Sequence, residues 1–64
     1  MQHDLDYIYK GHEVVILHDT TGYMCDIRSD DFDGELMAGY CDLASKREAV
    51  TVANEYIDGL GVAA

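Results

Sequence analysis

Two short apolar-rich segments flank Thr20-Thr21-Gly22 in the run EVVILHDTTGYMCDIR, from Glu13 to Arg28. β-Branched and aromatic residues fill both segments, which predicts an antiparallel pair of strands at about 13–18 and 23–28. The spacing suits a three-residue hairpin loop, a type I turn with Gly22 in the left-handed conformation that ends it. Such a loop sets Asp19 opposite Tyr23, Leu17 opposite Cys25 and Val15 opposite Ile27. Side chains alternate between the faces of a strand, so Val15, Leu17, Tyr23, Cys25 and Ile27 are expected inside. Val14, Ile16 and Met24 then share the outer face with His18, Asp26 and Arg28.

Around this hairpin the pattern adds three elements. Tyr7-Ile8-Tyr9 predicts a short edge strand at about 7–9, with residues 1–6 ragged. Lys10-Gly11 follows, either as a turn or as a bulge within one longer strand. Residues 35–41 form a further strand, with Leu36, Ala38 and Tyr40 on one side and Met37, Gly39 and Cys41 on the other. Gly39 has no side chain to pack and marks a bend or bulge. Between these strands the polar run Ser29 to Glu35, with Asp33-Gly34, predicts a tight turn. Phe32 in that turn is either a lid on the core or an exposed contact residue.

A helix at about 46–58 closes the chain. Ser45 and Glu48 have the spacing of a capping box. Ala49, Val52, Ala53, Tyr56, Ile57 and Leu60 recur every three or four residues, forming one apolar stripe. Thr51, Asn54, Glu55 and Asp58 face away, and Gly59 stands where a C-cap would end the helix. The expected fold is α+β: a three- to four-stranded antiparallel sheet with one C-terminal helix packed on one face. With 64 residues this is one small domain, burying only roughly 60% of the surface its unfolded chain exposes.

Charge changes the picture. Thirteen acids against four bases give a net charge of −9, beyond the roughly 2–8 usual for a small domain. Such a chain repels phosphate backbones, so direct nucleic-acid binding is not expected. Its hydrophobic fraction of 48% separates it from a disordered acidic tail. Either the charge serves solubility, or it meets a partner with a basic surface of the kind built for DNA or RNA. No apolar stretch approaches the ~20 residues of a membrane span, and the acidic N-terminus lacks the basic region of a signal peptide. With two cysteines the simplest expectation is a reduced, cytoplasmic protein, in the host cytoplasm if a phage encodes it.

Candidate chemistry is sparse. Two carboxylates acting as acid and base need a concave site with contrasting environments, and a chain this short has little room for one. Cys25 points inwards while His18 and Asp26 point outwards, so no cysteine–histidine pair forms. His3, His12 and His18 lack the spacing of a zinc site, and Asp31-Phe32-Asp33-Gly34-Glu35 lacks the glycine and final glutamate of an EF-hand loop. Phosphate-binding glycine loops are absent. No catalytic residue, metal ligand or cofactor is therefore assigned, and the chain is not expected to be an enzyme.

The acids themselves remain. Glu13, Asp19, Asp26, Asp30, Asp31, Asp33 and Glu35 cluster around the expected sheet. Alternate residues on a strand lie roughly 6.6 Å apart, on the scale of successive backbone phosphates. Rows of carboxylates can therefore compete for the arginines and lysines of a nucleic-acid-binding surface. The alternative contact set is apolar: Ile16, Met24 and Phe32, which the open sheet face would present to a partner or, as a homodimer rather than a monomer, to a second copy.

Two resemblances follow from these residues. The run from Ile16 through Gly22-Tyr23-Met24-Cys25-Asp26-Ile27 to Ser45-Lys46-Arg47-Glu48-Ala49 and Ala53 resembles the sheet-plus-helix domain of HicB-type antitoxins. The proline-bearing loop of that family has no counterpart in this proline-free chain. The resemblance implies binding to a small basic RNA-cleaving protein. As a class, a tiny acidic folded chain without catalytic motifs also resembles phage-encoded inhibitors of the anti-CRISPR type, some of which occupy DNA sites. That resemblance implies an inhibitor acting by DNA mimicry, and no residue is carried over from it. The expected function is thus an acidic protein-binding inhibitor that blocks a basic nucleic-acid-binding surface. The alternative is an antitoxin-like or adaptor module using the apolar sheet face.

Overall fold

A computed structural model, describing residues 2–29 and 34–62, places Asp19 directly opposite Gly22. Only Thr20 and Thr21 therefore turn the chain between β2 (His12–Asp19) and β3 (Gly22–Arg28). The Asp19 carboxylate fixes this turn by accepting from the Thr21 backbone N–H at 2.8 Å and from the Thr21 hydroxyl at 2.6 Å. An aspartate bonding two residues ahead is a common way to close a turn. Here it makes the loop one residue shorter than the spacing suggests.

That one residue reverses β2. Ile16 now faces Cys25, Val14 faces Ile27, Leu17 faces Met24 and Val15 faces Asp26. Val14, Ile16, Cys25 and Ile27 are all fully buried. The expected outer position of Ile16 is thus corrected to the centre of the core, and Val15 and Leu17 move to the opposite face. The side-chain period of two leaves no intermediate outcome.

Two further strands flank the hairpin in the order β1-β2-β3-β4, all neighbours antiparallel. β1 runs over Gln2–Tyr9, so residues expected to be ragged are paired strand. Its register shifts between His3 and Leu5, where Asp4 adds a residue that β2 does not match. The Asp4 carboxylate meets His18 Nδ1 at 2.5 Å, and the His18 ring lies against Tyr23 with centroids 5.1 Å apart. Lys10 and Gly11 form the β1–β2 turn, both with positive φ, of 51° and 86°. That is the mirror-image turn whose twist suits a two-residue hairpin loop.

β4 (Leu36–Leu43) carries two irregularities. Arg28 pairs with Leu36 and Ile27 with Ala38, so Met37 is an extra residue. Cys25 pairs with Tyr40 and Tyr23 with Leu43, and Asp42 within that interval has φ 61°. Aspartate tolerates this left-handed conformation better than most residues. Bulges of this kind disrupt an edge that would otherwise invite further pairing. Gly22 packs against the end of β4: a Cβ there would stand 3.0 Å from the Leu43 carbonyl oxygen, at a φ of 146°.

The helix α1 covers Lys46–Val62 and lies across the inner face, packed against β2, β3 and β4. At its start one half of the expected capping box forms, the Glu48 N–H donating to Ser45 Oγ at 3.1 Å, while the return bond reaches one residue further back. The Glu48 carboxylate accepts from the Ala44 N–H at the same distance. Ala49, Ala53 and Ile57 are buried, and the two alanines let the helix axis approach the sheet. Gly59 does not end the helix; it lacks positive φ, and the turn continues to Val62. A helical glycine costs only roughly 0.5–1 kcal/mol relative to alanine.

Asn54 and Asp58, expected to face away, instead reach the sheet. Tyr7 donates its hydroxyl hydrogen to Asn54 Oδ1 at 2.8 Å, and Tyr9 donates to Asp58 Oδ1 at 3.0 Å. Lys10 adds an ion pair to the same Asp58 oxygen. These contacts tie β1 to the helix, although β1 is the strand farthest from it in sheet order.

Candidate partner-binding face

The sheet has one face under α1 and one that no described element covers. Register assigns the open face: His3, Asp6 and Ile8 from β1, Glu13, Val15, Leu17 and Asp19 from β2, Met24, Asp26 and Arg28 from β3, Leu36 and Gly39 from β4. Its middle is apolar. Val15, Leu17 and Met24 are half-buried by their neighbours on the sheet, and none packs against the core. Ile8 is 68% exposed and Leu36 51%.

Carboxylates frame these apolar residues. Asp6 and Asp26 stand opposite Val15 on the two neighbouring strands, and Glu13 stands between Ile8 and Arg28. Gly39 lies beyond Asp26, and a Cβ there would come within 3.3 Å of the Asp26 carboxylate. The missing side chain leaves that carboxylate room. Among the described residues the ion pairs are Lys10–Asp58 and His18–Asp4, so Asp6, Glu13 and Asp26 enter none. Arg28 is the basic side chain on this face, and its guanidinium donates to the Gly34 carbonyl oxygen at 3.3 Å. Charge on the face is therefore predominantly negative and unneutralised.

Of the acids expected to meet a partner, Glu13 and Asp26 lie together on the open face. Asp19 stands at its end, with one oxygen committed to Thr21; that hydrogen bond holds the carboxyl below the usual carboxylate range. Glu35 is exposed just before β4. Asp30, Asp31, Asp33 and Phe32 lie outside the described residues. Met24 is on the open face as expected, whereas Ile16 is not. Asp6, Val15 and Leu17 belong to the face but escaped the sequence reading. Asp6 was lost with the first half of β1, and Val15 and Leu17 with the register of β2. A carboxylate row along one strand does not form either, because Arg28 follows Asp26 on β3; the acids are spread across three strands.

Elsewhere the molecule offers little chemistry. An open depression of about 520 Å³ is lined by Gln2, His18, Asp19 and Thr20, beside the Asp4–His18 pair. No group of three or more metal-ligating side chains forms among the described residues. Cys25 is buried, which pushes its thiol pKa up, and Cys41 is exposed; both are free thiols. No described helix is long and apolar enough to cross a membrane. Comparison of the chain with protein-family models, with curated proteins and with solved structures finds no match.

Proposed function

We propose that this chain is a binding protein that masks a basic nucleic-acid-binding surface of another protein. The supporting observation is the trio Asp6, Glu13 and Asp26, unpaired among the described residues, on the sheet face left open by the helix. A net charge of −9 directs that face towards cations and away from phosphate. Attraction of this kind speeds encounter and weakens with salt. Carboxylates on a strand-paired framework are held in place before binding, so little ordering of their backbone is needed.

The same face also carries Val15, Leu17 and Met24, which favours a second reading, an antitoxin-like or adaptor contact led by apolar burial. The test measures duplex DNA binding by a captured nucleic-acid-binding protein, with and without this chain, at several salt concentrations. The expected result is displacement of DNA that fades with salt and is lost in the Asp6→Lys, Glu13→Lys, Asp26→Lys triple variant. Undiminished DNA affinity of the captured partner with this chain bound would remove the masking role. Loss of partner binding in Leu17→Ser alone, with the triple variant unaffected, would establish the apolar reading instead.

A further inference from the structure

We infer that the open face receives an amphipathic helix from its partner, seated along β2 with an apolar stripe on Val15, Leu17 and Met24 and arginines or lysines on both flanks. This rests on the masking role proposed above and specifies its contact. The geometry comes from the strand order. Asp6 and Asp26 lie on the strands either side of β2, both opposite Val15. Two strand spacings separate them by about 10 Å. An α-helix with its side chains is about as wide, roughly 10–12 Å. A helix centred on Val15 and Leu17 therefore brings the flanking positions of its two sides above Asp6 and Asp26. Glu13 lies on β2 itself, two residues before Val15, with exposed Ile8 on one side and Arg28 on the other, and marks the anionic end of the seat.

Charge selects among occupants. A second copy would bring the same carboxylates against themselves with −9 on each side, and a nucleic acid would bring phosphates. A purely cationic loop would leave Val15, Leu17 and Met24 in water. A helix with a narrow apolar stripe between two cationic margins satisfies both features at once. Its docking would complete a helix–sheet–helix stack, with α1 already covering the other side of the sheet.

The test uses the whole chain and a synthetic peptide of about five helical turns, ~18 residues. The peptide has leucines at helical spacing between arginine margins, and a control peptide has the same composition with the spacing scrambled. Binding is followed by fluorescence anisotropy and by amide shifts of β2. The striped peptide should bind at least about tenfold more tightly than the scrambled one, a difference that Val15→Thr with Leu17→Thr should remove. Asp6→Asn with Asp26→Asn should weaken the striped peptide by a similar factor while far-UV circular dichroism stays unchanged. Equal binding of both peptides would overturn the helix seat yet leave charge-led masking standing. Binding of neither would also overturn the seat, and masking would then stand or fall on DNA displacement. A chain that sediments as a dimer, and as a monomer once Leu17→Asp is made, would overturn it in favour of a second copy.

Discussion

The hydroxyl of Tyr7 donates to Asn54 Oδ1 at 2.8 Å, joining the first strand to the helix across 47 residues of sequence. Both groups are partly buried, and burial raises the Tyr7 pKa, so the bond is sheltered from competing water. Removing the hydroxyl leaves the amide oxygen without its partner. Tyr7→Phe should lower stability by about 0.5–1.5 kcal/mol in urea unfolding. In a double-mutant cycle with Asn54→Ala the two effects should be clearly non-additive. Strict additivity would mean that the bond contributes nothing.

The central pair of strands allows a sharper test of orientation. Ile16 is fully buried against the helix, whereas Leu17, its neighbour, looks out from the open face. An aspartate at 16 would be an unpaired charge in the core, and such changes exceed roughly 4 kcal/mol, enough to unfold a domain of this size. An aspartate at 17 should stay folded, with a loss on the order of 1 kcal/mol. Circular dichroism of the two variants decides it. A folded Ile16→Asp beside an unfolded Leu17→Asp would restore the longer loop and the opposite facing.

Why β3 was legible in the sequence and β2 was not follows from the same residues. In β3, Tyr23, Cys25 and Ile27 alternate with Met24, Asp26 and Arg28, and only one phase buries the apolar set. In β2, Val14, Val15, Ile16 and Leu17 are four apolar residues in a row, so either phase buries two of them. The choice passes to the loop, where the Asp19–Thr21 hydrogen bonds make two residues sufficient. The first half of β1 was hidden because Asp4 breaks the alternation as an added residue. Asn54 and Asp58 looked like solvent-facing helix positions because polarity alone does not reveal a tyrosine reaching across from another strand. The helix start and its alanine face were legible, since capping box and stripe are local signals. For the open face, the consequence is that β3 placed Asp26 and Met24, whereas the positions of Asp6, Glu13, Val15 and Leu17 required the register.

The two thiols should behave differently. Cys25 is buried on the helix-covered face of β3, and burial holds its pKa above the ordinary thiol value, which keeps the reactive thiolate scarce. Cys41 is exposed on β4. In the native protein, Ellman's reagent should modify one thiol per chain promptly, and peptide mapping should place it at Cys41. The second should react only as fast as the fold opens, and promptly in denaturant. Rapid modification of both in native buffer would contradict the core position of Cys25.

Asp58 gathers two partners from the end of β1 and the turn after it, the Lys10 ammonium at 2.5 Å and the Tyr9 hydroxyl at 3.0 Å. The Lys10 hydrogen bond, followed by that of Tyr9, lowers the Asp58 pKa, and the hydrogen bond to Asp58 raises the pKa of both Lys10 and Tyr9. A carboxyl whose folded pKa is depressed contributes stability that is present above its unfolded value near ~4 and is lost as pH falls through the folded value. For Lys10 and Tyr9 the sign reverses: their contribution is complete below ~10 and is lost as pH rises through the raised folded values. The Lys10 and Asp58 side chains are largely exposed, so the effect should also shrink in high salt. The measurement is the thermal midpoint of Asp58→Asn relative to the parent at acidic, neutral and strongly alkaline pH. The variant should melt lower at neutral pH, and the gap should narrow towards both extremes. Asp19, whose pKa is also depressed by Thr21, keeps part of the acid dependence in the variant. A gap that stays constant from acid to alkali would show that neither Lys10 nor Tyr9 draws stability from Asp58.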